Sequence, residues 1–329
     1  MPKIHLTVAI SDYDHVRDFT LGDVPAEGID ITYLKLVHEE IFYRFINFRE
    51  WDVSEISFAK YVSLISQGDD SIMAIPVFPS RIFRLSSIYV RDGGPIRRPE
   101  DLAGRKIGLP EWAQTAAVYT RGYLMHQAGI GLQEVDWYQA GVDEGGRTEK
   151  VALKLPQGVR LTPVPELSLT QLLLAGEVDA VITARPPGHF LAGKPGIVRL
   201  LPDYRDAEET FFCNTGIFPI MHTIAVKTRV LKSHPWVAMN LLKAFETAKE
   251  RSIKRALDVS APRFPIPWCY HYAAQAREIF GEDYWPYGIE ANRNTLEAFL
   301  GYAYEQGVCH RRLQPEDLFP PEVQSRFTV

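Results

Sequence analysis

His222 lies in Pro219-Ile220-Met221-His222-Thr223, where a strand-like run begins, and is the best placed of nine histidines to exchange a proton near neutral pH. His189 follows Arg185-Pro186-Pro187-Gly188, and His15 falls in the loop after the first strand-like run, so both are further proton-transfer candidates. His5, His38, His126, His234, His271 and His310 lie within or beside predicted strands and helices and read as structural or solvated. Among carboxylates, Asp12 lies past the first strand and Glu55 sits beside Ser57 at the end of another. A carboxylate buried by a closing cleft has a raised pKa and serves as acid or base. The plainer alternatives are a turn cap for Asp12 and an ion pair with Lys60 for Glu55.

Arginines supply the cations. A guanidinium presents a planar fork that holds a carboxylate through two hydrogen bonds. Arg81 and Arg84 follow a strand-like run, with Ser80 just before them, and Arg185 follows another, stiffened by Pro186-Pro187. Arg17 is a weaker candidate, and surface or interlobe salt bridges are the alternative for all four. Trp112-Ala113-Gln114-Thr115-Ala116 lies where a loop enters a helix, so Thr115 stands where free backbone N–H groups favour an anion. Glu55, His189 and His222 show no His-x-x-His or His-x-x-x-His spacing, so no metal is expected.

The elements that must position these residues alternate between strand and helix, as in an open α/β sheet. Residues 4–10, 29–36, 52–56, 73–78 and 87–90 read as strands, with helices over 39–48 and 57–66. Asp92-Gly93-Gly94-Pro95 is linker chemistry and opens a second unit, with strands over 106–109, 135–139 and 180–183 and helices over 114–127 and 170–175. A strand-like run at 218–226 leads into a helical C-terminal part. Glu50-Trp51-Asp52-Val53-Ser54 is echoed by Glu177-Val178-Asp179-Ala180-Val181, as expected if two lobes each present strand ends to one crevice. The expected organisation is lobe I from 1–91 plus 219–329 and lobe II from 92–218.

Composition excludes several classes. Of 329 residues, 46% are hydrophobic and 23% charged, which rules out a disordered or fibrous chain. A net charge of −5 without a basic cluster argues against nucleic acid. Three scattered cysteines fit neither a disulfide framework nor a zinc site, and read as reduced, buried thiols. The apolar run at 6–10 is shorter than a signal-peptide core of about 7–15 residues. No stretch reaches the roughly 20 apolar residues of a membrane span. A cytoplasmic protein is expected.

Pro99-Glu100-Asp101-Leu102-Ala103-Gly104-Arg105-Lys106-Ile107-Gly108 resembles the opening of the second lobe of a type II periplasmic-binding-protein fold. Gly176-Glu177-Val178-Asp179-Ala180-Val181 is similar to the step before its hinge. Five further segments resemble the 4,5-dihydroxyphthalate decarboxylase family. They are Asp12-Tyr13-Asp14 with Arg17; Asp52-Val53-Ser54-Glu55-Ile56-Ser57; Pro76-Val77-Phe78-Pro79-Ser80-Arg81 with Phe83-Arg84; Gly216-Ile217-Phe218-Pro219-Ile220-Met221-His222; and Trp285-Pro286-Tyr287-Gly288 with Glu290-Ala291-Asn292. The resemblance implies an enzyme that removes carbon dioxide from a hydroxylated aromatic acid without an organic cofactor, most directly 4,5-dihydroxyphthalate giving 3,4-dihydroxybenzoate. Such a reaction needs cations for an ortho-dicarboxylate, an acid at the ring carbon and a base at the para-hydroxyl, with Trp112 available to cover the ring. One departure is Leu85, where the family pattern commonly has histidine; it implies a different aromatic acid or another proton donor.

Two other readings compete. A binding protein or sensor for an aromatic acid would need the arginines but no acid–base pair. An enzyme of another reaction type on the same fold would need its own lysine and histidine arrangement, which is not evident. Trp268, Tyr270, Tyr272, Trp285 and Tyr287 exceed what a covering helix requires, and read either as a homo-oligomer surface or as lobe I core.

Overall fold

The computed structural model describes residues 3–325. The first unit runs β1 (Ile4–Ala9), α1 (Asp14–Thr20), β2 (Ile29–Leu34), α2 (His38–Phe48), β3 (Val53–Ser57), α3 (Phe58–Ser66) and β4 (Ile72–Arg81). The chain then passes into β5 (Ile88–Arg91), β6 (Lys106–Leu109), α4 (Thr115–His126), β7 (Asp136–Gly141), β8 (Arg160–Ser168), α5 (Leu169–Ala175) and β9 (Ala180–Ile182). It continues through α6 (Gly188–Leu191), β10 (Ile197–Arg199) and α7 (Tyr204–Thr215), and returns as β11 (Ile220–Lys227). Helices α8 (Thr228–Ser233), α9 (Trp236–Ala256), α10 (Cys269–Phe280) and α11 (Arg293–Glu305) complete it.

Two sheets result, ordered β2-β1-β3-β11-β4 and β10-β5-β9-β6-β7-β8. The returning β11 inserts antiparallel between β3 and β4, so the last strand built lies in the middle of the first sheet. Sheet membership changes between Arg81 and Ile88, because β5 already pairs with β9 and β10 of the second sheet. The crossover therefore precedes the expected boundary at residue 91.

The physical reasons for these strands differ. Every residue of β3 is buried, yet three of its five are polar: Ser54, Glu55 and Ser57. An interior strand is ordinarily a run of apolar residues, so buried polar groups here require partners. Strand β8 had no expectation in the sequence because it contains Pro163 and Pro165 and is mostly exposed. It lies at the edge of its sheet, where a missing N–H costs no ladder bond. Strand β4 is likewise an edge and carries Pro76 and Pro79, which leaves their carbonyls available to other segments.

Packing joins the lobes through α4. Gly122 lies where the Tyr302 ring of α11 presses on the helix, and an added Cβ would stand 2.5 Å from that ring. Of the three cysteines, Cys309 is buried, Cys269 partly so and Cys213 exposed, so burial holds for one of them. Tyr287 is buried and the Trp285 indole donates to the Phe78 carbonyl at 3.1 Å, placing both in lobe I. Trp268, Tyr270 and Tyr272 are exposed instead. No helix among the described residues is long and apolar enough to cross a membrane.

Candidate active site

The side chains of Ser57, His222 and Ser80 form one row across the first sheet, because His222 of β11 is in register with Ser57 of β3 and Ser80 of β4. Glu55 shares that face of β3, two residues before Ser57. Its carboxylate is fully buried and accepts three hydrogen bonds: from the Ser11 amide at 2.9 Å, the Tyr13 hydroxyl at 2.7 Å and His222 Nδ1 at 2.6 Å. Burial pushes the Glu55 carboxyl up, but the His222 bond and charge, with Tyr13 and the Ser11 amide, outweigh it and hold the group at about 2. Glu55 is therefore a fixed anion that does not itself exchange protons. Because a carboxylate only accepts, His222 Nδ1 carries a hydrogen, and Nε2 is the ring atom left to act.

Around this pair the walls are aromatic. Phe42 meets the His222 ring edge-on at 4.8 Å, and His38, one helical turn earlier on α2, lies 6.1 Å from it between ring centres. Burial of Tyr13 and the charge of Glu55 raise its phenol far above the ordinary range, so it remains a donor. His15 packs between Tyr13 and Trp285, at 5.4 and 5.3 Å, and its Nε2–H donates to the Pro79 carbonyl at 3.0 Å. Burial lowers the His15 pKa to about 4, so at neutral pH it is an uncharged wall group and not the expected acid.

Several expected cations serve other roles. Arg81 is buried; its guanidinium donates to Pro286 O at 3.1 Å, Phe218 O at 3.0 Å and Asn292 Oδ1 at 2.7 Å, and lies over the Phe218 ring. Arg81 alternates away from the Ser80 face and clamps the segment that carries Trp285, so it is not a carboxylate ligand. Arg84 sits at the crossovers, with Nε 3.2 Å from Met221 Sδ and Nη1 donating to Ala184 O at 3.3 Å. Burial pushes it down to about 10, and among the described residues no carboxylate pairs with it. Leu85 beside it is buried. Arg17 is spent on Asp12 and Asp14, at 3.6 and 3.5 Å. Asp12 is also held by Lys35 at 2.5 Å, and that hydrogen bond keeps its carboxyl below the usual range, which makes it a weaker base than a free carboxylate.

Arg185 is different: it is largely exposed and reaches from the segment after β9 to pair with Glu39 of α2, across the two units. Glu39 also contacts His38 Nε2 at 3.1 Å. His189 is tied within its own loop, with Nε2 2.8 Å from Pro195 O, so no proton-transfer role falls to it. Trp112 is a core indole that donates to Gln306 O at 2.7 Å and stacks on Arg121, so it covers no ligand. Thr115 Oγ1 lies 3.0 Å from Ser57 Oγ and accepts the Ala59 amide at 3.1 Å, which joins the starts of α3 and α4 across the lobes. Among the described residues no three His, Cys, Asp or Glu side chains gather as a metal-binding group.

Sequence reasoning missed Ser11, Tyr13, His38 and Phe42. The available signal for His38 and Phe42 was their i, i+4 spacing at the start of α2. Tyr13 lies between Asp12 and Asp14, and no local pattern marks its hydroxyl as a partner of Glu55.

No protein-family model matches the chain. The fold is similar to the periplasmic aliphatic sulphonate-binding protein SsuA of Escherichia coli, with a TM-score of 0.54 at 12% identity over 98% of this chain and 99% of that one. In sequence, the chain is 37% identical over 213 residues to a 4,5-dihydroxyphthalate decarboxylase of Pseudomonas putida, covering 64% of this chain and 83% of the relative. It is 37% identical over 330 residues to one of Comamonas testosteroni, spanning the full length of both. With its two-sheet architecture, this chain belongs to the 4,5-dihydroxyphthalate decarboxylase family.

Proposed function

We propose that the chain decarboxylates 4,5-dihydroxyphthalate to 3,4-dihydroxybenzoate and carbon dioxide, with His222 as the proton carrier. The observation that supports this most is the buried Glu55 paired with His222, which fixes Nδ1 and leaves Nε2 free of that bond on a side chain 16% exposed. Direct loss of carbon dioxide would leave an electron pair orthogonal to the ring's π system. The para-hydroxyl instead feeds electrons to the carbon bearing the carboxylate while His222 Nε2–H protonates that carbon. The C–C bond then breaks, its electrons restore the aromatic ring, and carbon dioxide departs.

Glu55 compensates the charge that the ring carries when both nitrogens are protonated. Arg185 is the favoured cation for a substrate carboxylate, exchanging Glu39 for it at the cleft mouth, with Arg84 as the inner cation. Ser57, Ser80 and Tyr13 line the same face for the ring hydroxyls. The test is carbon dioxide release from 4,5-dihydroxyphthalate in deuterated water, with and without a chelator. Turnover indifferent to chelation, with one deuterium on the ring carbon that lost the carboxylate, is expected. Binding without turnover would contradict the enzyme reading and favour a receptor.

A further inference from the structure

We propose that His38 is the port through which protons enter the closed cleft, returning to His222 the proton that each turnover consumes. This rests on the decarboxylase reading, whose stoichiometry makes the demand. A carboxylate leaves as neutral carbon dioxide and a solvent proton ends on carbon, so one proton must reach His222 Nε2 per cycle.

His222 is itself only 16% exposed, and its surroundings offer few ways in. Glu55 has no solvent exposure and is held ionised. Tyr13 holds its proton too tightly to pass it on. His15 is half-buried between Tyr13 and Trp285, with Nε2 committed to the Pro79 carbonyl. His38 also has a partner, with Glu39 3.1 Å from its Nε2, but that partner is itself partly exposed, and His38 combines proximity with access. Its side chain is 42% exposed, while its ring centre lies 6.1 Å from that of His222, a span one bridging water fits. Phe42, at 5.9 Å from His38 and 4.8 Å from His222, walls the two rings on one side.

The charged and titratable groups facing His38 come from four elements. Glu39 lies on its own helix, His222 on β11, Glu55 on β3 and Arg185 on the second unit. Burial lowers the His38 pKa and outweighs the opposing pull of Glu39, which favours a ring that releases its proton inward readily. In the cycle, a solvent proton binds His38 and passes through water to His222 Nε2, leaving His38 neutral for the next.

The test compares wild type with His38→Ala and His38→Gln in weak and in concentrated buffer, and with added imidazole. Steady-state release in both variants is expected to fall about tenfold or more in weak buffer and to recover as imidazole rises, saturably. The first turnover of pre-protonated enzyme should remain at the wild-type rate. A loss that imidazole does not restore, or no loss in weak buffer, would overturn the port. A wild type that releases no carbon dioxide would instead overturn the functional reading on which it rests.

Discussion

Two buried ionic assemblies tie distant segments of the chain together, and they are built to different ends. In the first, Lys60 of α3 reaches across the lobes to Glu111 at 2.8 Å and Glu149 at 2.5 Å, and Glu111 also takes Arg147 at 2.6 Å. Lys60 and Glu111 are almost wholly buried, and each charge faces more than one partner. In the second, Glu55 is equally buried but meets an imidazole whose side chain keeps 16% of its surface exposed. Burial and pairing alone thus do not mark an active site. On the proposed reading, the mark is a second ring nitrogen that the buried charge does not use.

The largest effects should come from the second assembly. Glu55→Gln keeps the shape but loses the charge and frees the ring to turn, so kcat is expected to fall on the order of 10²–10⁴-fold, measured by carbon dioxide release. An unchanged kcat would remove the distinction between the two assemblies. Lys60→Met should do the reverse: about 3–5 kcal/mol of stability lost in urea unfolding, because it strips a buried counter-charge, with kcat per folded molecule retained.

The mouth pair comes next. Arg185→Ala should raise KM about tenfold with little change in kcat, while stability moves by less than about 1 kcal/mol, as for exposed ion pairs. Glu39→Gln frees Arg185 and should lower KM. Opposite signs for these two substitutions would sharpen the contrast between a structural pair and an exchangeable one.

The smallest effect is a pH dependence of stability in two stages. His15 is held near 4 by burial against an ordinary 6.5, so its contribution is complete above about 6.5 and lost as pH falls toward 4. Glu55 and Glu111 are held at about 2 against an ordinary 4.5, so theirs is complete above 4.5 and lost as pH falls toward 2. His15→Gln should shrink the upper stage of the urea midpoint curve to the part that His38, also lowered by burial, still contributes, and leave the lower one.

The alternation of strands and helices was legible because most elements carry their apolar pattern in sequence, as in β6, which matches its expected span of 106–109. The proline-bearing edge β8 was not, since an exposed edge needs no apolar alternation. The place of His222 on a returning strand was legible, since the run at 218–226 reads as strand-like and β11 spans Ile220–Lys227. The surroundings of the arginines were less so, because neighbouring residues on a strand point to opposite faces: Ser80 shares the face of His222 and Arg81 faces the 286–292 segment. Position after a strand tells that a residue is near a crevice, and one step of register decides which side it serves. Pairings such as Glu55 with His222 link residues 167 apart, beyond any local pattern.

The most direct test is the rate of carbon dioxide release from 4,5-dihydroxyphthalate by His222→Asn, with its unfolding midpoint measured alongside. A folded variant whose release drops on the order of 10²–10⁴-fold is the expected result. A folded variant that releases carbon dioxide at the wild-type rate would show that the proton comes from elsewhere and contradict the assignment.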